Sequence, residues 1–230
     1  MNTQLALAIK LNDEATLTDF NWENNALLQQ QLQNMLSFQG ERLLYLWGTK
    51  GCGKSHLLQA CCQAVNSNHS AIYLPLMLLK EWGPQAIEGI EEQTLICIDD
   101  IDAIANDPSW EEALFHLYNR VKDEEKGLLI ISGNHPPAIS PIRLADLRSR
   151  LSWGLTIQLN ELSDEEKINT LKQHALKRGF ELPESVAQFL LNRCSRNMHD
   201  LHQLLNLLDD ASLAAHRKIT IPFVKNILNI

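Results

Sequence analysis

A chain of 230 residues, 45% hydrophobic and 21% charged, can bury one large core or two small ones and has the balance of an ordinary globular protein. Its net charge is -8, with 11 basic against 19 acidic groups in residues 1–160 and 9 against 9 in residues 161–230, so no segment reads as a basic face built to neutralise DNA phosphates. No apolar run approaches the ~20 residues a membrane helix needs, and "MNTQLALAIKLNDE" lacks the basic flank and long apolar core of a secretory signal, so a cytoplasmic location is expected.

In chain order, an N-terminal stretch is followed by apolar runs at 43–47, 71–74, 95–98, 128–132 and 155–159. They read as five buried strands. Helical patterns lie between them, clearest where Trp110, Leu114, Leu117 and Val121 recur three or four residues apart on one face. Strands alternating with helices predict a parallel α/β sheet.

Beyond Asn160 the strand signals stop. Ser163 and Glu166 form a capping-box pattern and Gly179 a helix stop. Pro183 suits the first turn of a second helix, Leu201, Leu204, Leu205 and Leu208 stripe a third, and a fourth begins near Ile221. The expected organisation is an N-terminal segment 1–14, an α/β domain 15–160 and a small all-helical domain 161–230. Cys52, Cys61, Cys62, Cys97 and Cys194 are odd in number and lack zinc-ligand spacing, so they read as reduced thiols.

Between the first strand and its helix stands "GTKGCGKS", a full G-x-x-x-x-G-K-[ST] match. Glycines let successive backbone N–H groups face phosphate oxygens, and the following helix adds its positive end. Gly48, Gly51, Cys52, Gly53, Lys54, Ser55 and the adjoining His56 are therefore the nucleotide-binding candidates for ATP or ADP. Lys54 would neutralise the outer phosphates and Ser55 would meet Mg²⁺.

The third strand ends "LICIDD", which puts Asp99 at the edge where the metal needs a carboxylate. Asp100 either polarises a water or caps the helix that follows. The fourth strand ends "LLIISGNHPP", so Ser132 or Asn134 emerges on the same edge. Asn134 could sense a terminal phosphate or orient water, and turn chemistry explains it too.

"LRSRLSWGL", with Ser149, Arg150, Trp153, Gly154 and Leu155, resembles the Box VII segment of DnaA-type AAA+ proteins. Taken with the phosphate loop, "CIDD", "SGNHPP" and "ITIPFVKNIL", nearly the whole chain resembles the DnaA AAA+ domain, and the likeness stops where DnaA continues into a helix-turn-helix domain. "LYNR" at 117–120, "RGFELPE" at 178–184 and "RKITIPFVK" at 217–225 resemble the Hda branch of that family, the regulatory inactivators of DnaA.

The resemblance implies an AAA+ P-loop domain with a five-stranded parallel sheet, followed by a helical lid. It implies a nucleotide-bound adaptor that docks on ATP-bound DnaA at the DNA-loaded sliding clamp of DNA polymerase III and promotes hydrolysis of DnaA's ATP, preventing re-initiation of replication. Arg150 is then the arginine finger, homo-oligomers are expected, and sequence-specific DNA binding is not. The alternative is a self-hydrolysing ATPase of the helicase-loader type, with Asp100 as base.

"QLALAI" at 4–9 resembles a clamp-binding hexapeptide, with Gln4, Leu5, Leu7 and Ile9 as anchors. It departs from the pattern at Ala8 and Ile9. His199 stands where the family places its sensor 2 arginine, and Arg196, three residues earlier, is a candidate substitute on nearly the same helical face. Phe20 and Trp22 align with the segment that covers adenine, although aromatic burial explains them as well.

Overall fold

The computed structural model describes residues 11, 15–65, 69–124, 127–215 and 217–229. The hexapeptide, with Gln4, Leu5, Leu7 and Ile9, lies outside the described residues. A first helix, α1 (Ala26–Leu36), buries Leu28, Leu32 and Met35 at helical spacing. It is followed by β1 (Leu43–Trp47), α2 (Lys54–Ala64), β2 (Ala71–Pro75), the single turn α3 (Leu76–Leu79) and β3 (Leu95–Asp99). Then come α4 (Pro108–Glu124), β4 (Leu128–Gly133), α5 (Ala145–Leu151) and β5 (Leu155–Gln158).

All sheet pairings are parallel, in the order β2-β3-β4-β1-β5. β3 and β4 are buried along their whole length because both faces are covered and neither strand is at an edge. β2 and β5, expected to be buried, are the sheet edges and only partly covered. Register aligns Trp47 with Gly133 and Ile98 with Ile131, so β1, β3 and β4 deliver their C-terminal ends to one edge.

Trp110, Leu114, Leu117 and Val121 are all buried, as their spacing predicts, each contributing about 2 kcal/mol of apolar burial. Gly154 has a separate packing duty. A Cβ there would collide with the Leu43 carbonyl oxygen, so only glycine lets the chain approach β1 before β5 begins.

The chain divides into two compact units, one made of the chain up to Thr49 with Lys54–Leu159, the other of Lys50–Gly53 with Asn160–Ile230. In the second unit, α6 (Asp164–Lys177) opens with a complete capping box between Ser163 and Glu166. It closes at Gly179, φ +87°, where Phe180 N bonds Ala175 O and Gly179 N bonds Leu176 O, the paired pattern of a left-handed helix stop. Pro183 stands one place before α7 (Glu184–Arg193), not inside its first turn. On α8 (Met198–Ala215), Leu201, Leu205 and Leu208 are buried, and α9 (Ile221–Leu228) is capped by Thr220. No described helix is long and apolar enough to cross a membrane.

Candidate functional site

The glycine-rich loop leaves the end of β1 and enters α2 at Lys54. Gly51 and Gly53 adopt φ of +86° and +107°, a region that residues with a side chain enter only at a cost. Lys54 is buried, and its Nζ donates to the carbonyls of Gly48 (2.9 Å) and Thr49 (3.0 Å) and to Asn134 Oδ1 (3.2 Å). Those acceptors offset the cost of burying an ammonium. Cys52 is buried within the loop.

Asp99 is buried at the end of β3. Its Oδ1 accepts from Ser132 Oγ (2.5 Å) and its Oδ2 from the Tyr73 hydroxyl (2.6 Å). Ser132 Oγ in turn accepts from Asp100 N (3.0 Å). Burial, followed by the Asp99 charge, pushes the Tyr73 phenol far above the ordinary range, with Gln59 and Ser55 of α2 pulling the other way. It therefore stays a donor to Asp99. Sequence reasoning missed Tyr73; the signal was a lone polar side chain in the apolar strand "AIYLP".

Asp100 precedes a one-turn 3-10 helix, Ile101–Ile104, at φ 56° and ψ 59°, and its side chain makes no cap hydrogen bond. Asp100 thus occupies the cap position of the alternative reading, but by its backbone, held by Ser132, and not by a side-chain bond. Asp102, two residues on, accepts from Asn134 N (2.6 Å) and pairs with His135 Nδ1 (3.3 Å), while Tyr45 Oη donates to the His135 carbonyl (3.0 Å). Asn134 is thus held by its backbone while its side chain meets Lys54. Phe20 packs 4.6 Å from Trp22 and 5.9 Å from His56 on α2, ring centroid to ring centroid, placing Phe20 beside the start of that helix.

Arg148 and Arg150 occupy the last turn of α5. Arg148 Nη1 donates to the Ile142 carbonyl (2.7 Å). Among the described residues no carboxylate pairs with Arg150; its Cζ lies 4.0 Å from the Trp153 ring centroid. The base of α5 is fixed by Glu111, a buried carboxylate accepting from the backbone N–H groups of Asn106 (2.9 Å), Arg143 (3.0 Å) and Leu144 (2.7 Å).

In the second unit His199 is exposed on the first turn of α8, with Nε2 2.9 Å from Gln203 Nε2. Arg196 does not share its helical face, which corrects the expectation. Asn197 Oδ1 accepts from His199 N (2.8 Å) and starts the helix after Arg196, which pairs with Asp164 at 3.5 Å.

Parallel sheet, phosphate loop and helical lid together define an AAA+ P-loop protein. Residues 23–158 match the family described as bacterial DnaA ATPase domain, and residues 164–228 match the Hda lid domain. The chain belongs to the bacterial DnaA ATPase-domain family, as a Hda/DnaA-like AAA+ member of a family of replication regulators. It is 45% identical over 231 residues to an uncharacterized protein of Haemophilus influenzae, covering 100% of both chains. Among solved structures, domain III of the replication initiation protein DnaA from Thermotoga maritima has a TM-score of 0.80 at 21% identity, over 96% of this chain and 98% of that one. AMPPCP-bound DnaA from Aquifex aeolicus has a TM-score of 0.71 at 22% identity, over 86% and 66%. At these identities the structures share the fold.

Proposed function

We propose that the chain is a nucleotide-bound regulator that docks on ATP-bound DnaA at the DNA-loaded sliding clamp. There it supplies Arg150 to DnaA's nucleotide, speeding ATP hydrolysis and preventing re-initiation of chromosome replication. The observation that carries this reading is the contrast within α5: Arg148 is committed to its own fold, while Arg150 has no carboxylate partner among the described residues. A fixed guanidinium stabilises charge that builds on a transferring phosphoryl group, an effect worth roughly 10³ to 10⁵ in rate in GTPase systems.

The chain's own ADP or ATP would sit on the phosphate loop, as the AMPPCP-bound relative of this fold supports. Lys54 would face the outer phosphates and Phe20 and His56 the base side. Ser55 and Asp99 fit Mg²⁺, being hard oxygen donors at the start of α2 and the end of β3, with Asp99 held by Tyr73 and Ser132; the ion would neutralise and orient the phosphates. Asn134 would read the terminal phosphate through its contact with Lys54, and His199 would replace the lid arginine. The hexapeptide, through Gln4, Leu5, Leu7 and Ile9, would hold the clamp, and homo-oligomers would form through the AAA+ domain.

Denaturing the purified chain should release ADP or ATP, and the intact chain should retain clamp and DnaA, with clamp retention lost on deleting residues 1–11. Asp100, directly after Asp99 at the C-terminal end of β3, favours a second reading, the self-hydrolysing loader-type ATPase. Sustained ATP turnover by the isolated chain, abolished by Asp100→Asn, would put that reading in place of the first.

A further inference from the structure

We infer that Trp153 is a positioning residue for Arg150, its indole holding the guanidinium stacked before any partner docks; this rests on the reading of Arg150 given above. The ring centroid lies 4.0 Å from Arg150 Cζ and 4.2 Å from Lys122 Nζ, and the next aromatic ring, Phe115, is 5.9 Å from the same Cζ. Trp153 is 58% exposed, so core packing does not account for its place.

The chemistry favours an aromatic holder over a carboxylate. A salt bridge would occupy the N–H groups that must later reach phosphate oxygens. Stacking uses the flat face of the guanidinium and leaves the N–H edge, with all five donors, unspent. Among the described residues nothing accepts from that edge. A guanidinium held in this way surrenders its rotamer freedom ahead of docking, so less is lost when the phosphate is met.

Local structure builds the pair. Trp153 N bonds the Arg150 carbonyl (3.0 Å) in the turn that ends α5. Gly154, whose missing Cβ lets the chain lie on Leu43, anchors the next residue. Lys122, on α4, meets the same ring from a second element. "RSRLSWG" thus encodes a cation, a turn, an aromatic platform and a close-packed anchor.

The test is the maximal rate and half-saturating concentration with which the full chain stimulates ATP hydrolysis by DnaA on DNA-loaded clamp. Trp153→Leu, which keeps apolar bulk without a π face, should lower the maximal rate roughly two- to fivefold at unchanged half-saturation, the range of an exposed cation–π contact. Trp153→Phe should restore it. In an Arg150→Ala background Trp153→Leu should change nothing further. If Arg150→Ala abolishes stimulation but Trp153→Leu matches wild type at saturation, the positioning role is overturned alone. A raised half-saturation at unchanged maximum makes Trp153 a docking contact and also overturns it. Stimulation by Arg150→Ala equal to wild type removes the functional reading itself.

Discussion

Arg148 and Arg150 stand two positions apart and carry the same charge, yet only Arg148 donates its guanidinium N–H to an acceptor in its own fold among the described residues. Removing the bond from Arg148 Nη1 to the Ile142 carbonyl should cost about 1.5 kcal/mol of stability, the scale of a hydrogen bond from a charged group. Denaturant unfolding of Arg148→Ala should show that loss, whereas Arg150→Ala, which gives up only the exposed cation–π contact with Trp153, should cost about 0.5–1 kcal/mol. Tyr73 invites a similar trial. Tyr73→Phe removes the donor to Asp99 Oδ2 and leaves a buried carboxylate under-satisfied, so a loss of about 1–2 kcal/mol is expected. Sequence pattern singled out Lys54 through the phosphate-loop motif, and Asp99 and Asn134 through their places at the ends of β3 and β4; Tyr73 escaped because its partner Asp99 comes from another strand, which no local spacing reveals.

At the scale of elements, the phosphate loop was legible as a complete motif, and β3 and β4 as continuous apolar runs, buried along their whole length. The capping box of α6 and its glycine stop were equally plain, each being settled within one helical turn. What the sequence hid was competition. Asn197 takes the start of α8 away from Arg196, and edge position leaves β2 and β5 half-covered. Glu111 was also invisible, since its acceptors serve Arg143 and Leu144 thirty residues on. Glu111→Gln would turn an amide donor toward those N–H groups and should lower stability by about 2–3 kcal/mol. Gly154→Ala, which drives a methyl against Leu43, should cost about 1–3 kcal/mol as an overpacked contact. Thermal unfolding of both variants reads the two values.

Across the whole molecule, acid–base behaviour follows burial. Burial pushes the Tyr118 phenol up to about 12, with the Arg150 charge pulling the other way, and burial likewise raises Tyr45 and Tyr73. The unfolded chain releases these protons near pH ~10 while the folded chain keeps them. Stability from this source is therefore whole below pH ~10 and is lost as pH rises through about 12. Denaturant midpoints that stayed level from pH 9 to roughly 12 would contradict this. Burial also raises the Cys61 and Cys97 thiols, so alkylation of the folded chain at pH ~8 should spare both in a mass-spectrometric map.

The proposed activity lives at the largest scale, since no single chain contains both the arginine and the phosphate on which it acts. The most direct measurement is the hydrolysis rate of ATP bound to DnaA on DNA-loaded clamp, with and without this chain. Wild type should raise the rate, and Arg150→Ala, equally folded and equally loaded with its own nucleotide, should remove roughly 10³-fold or more of the stimulation. A rate that wild type leaves unchanged, or that Arg150→Ala raises as well as wild type, would contradict the assignment.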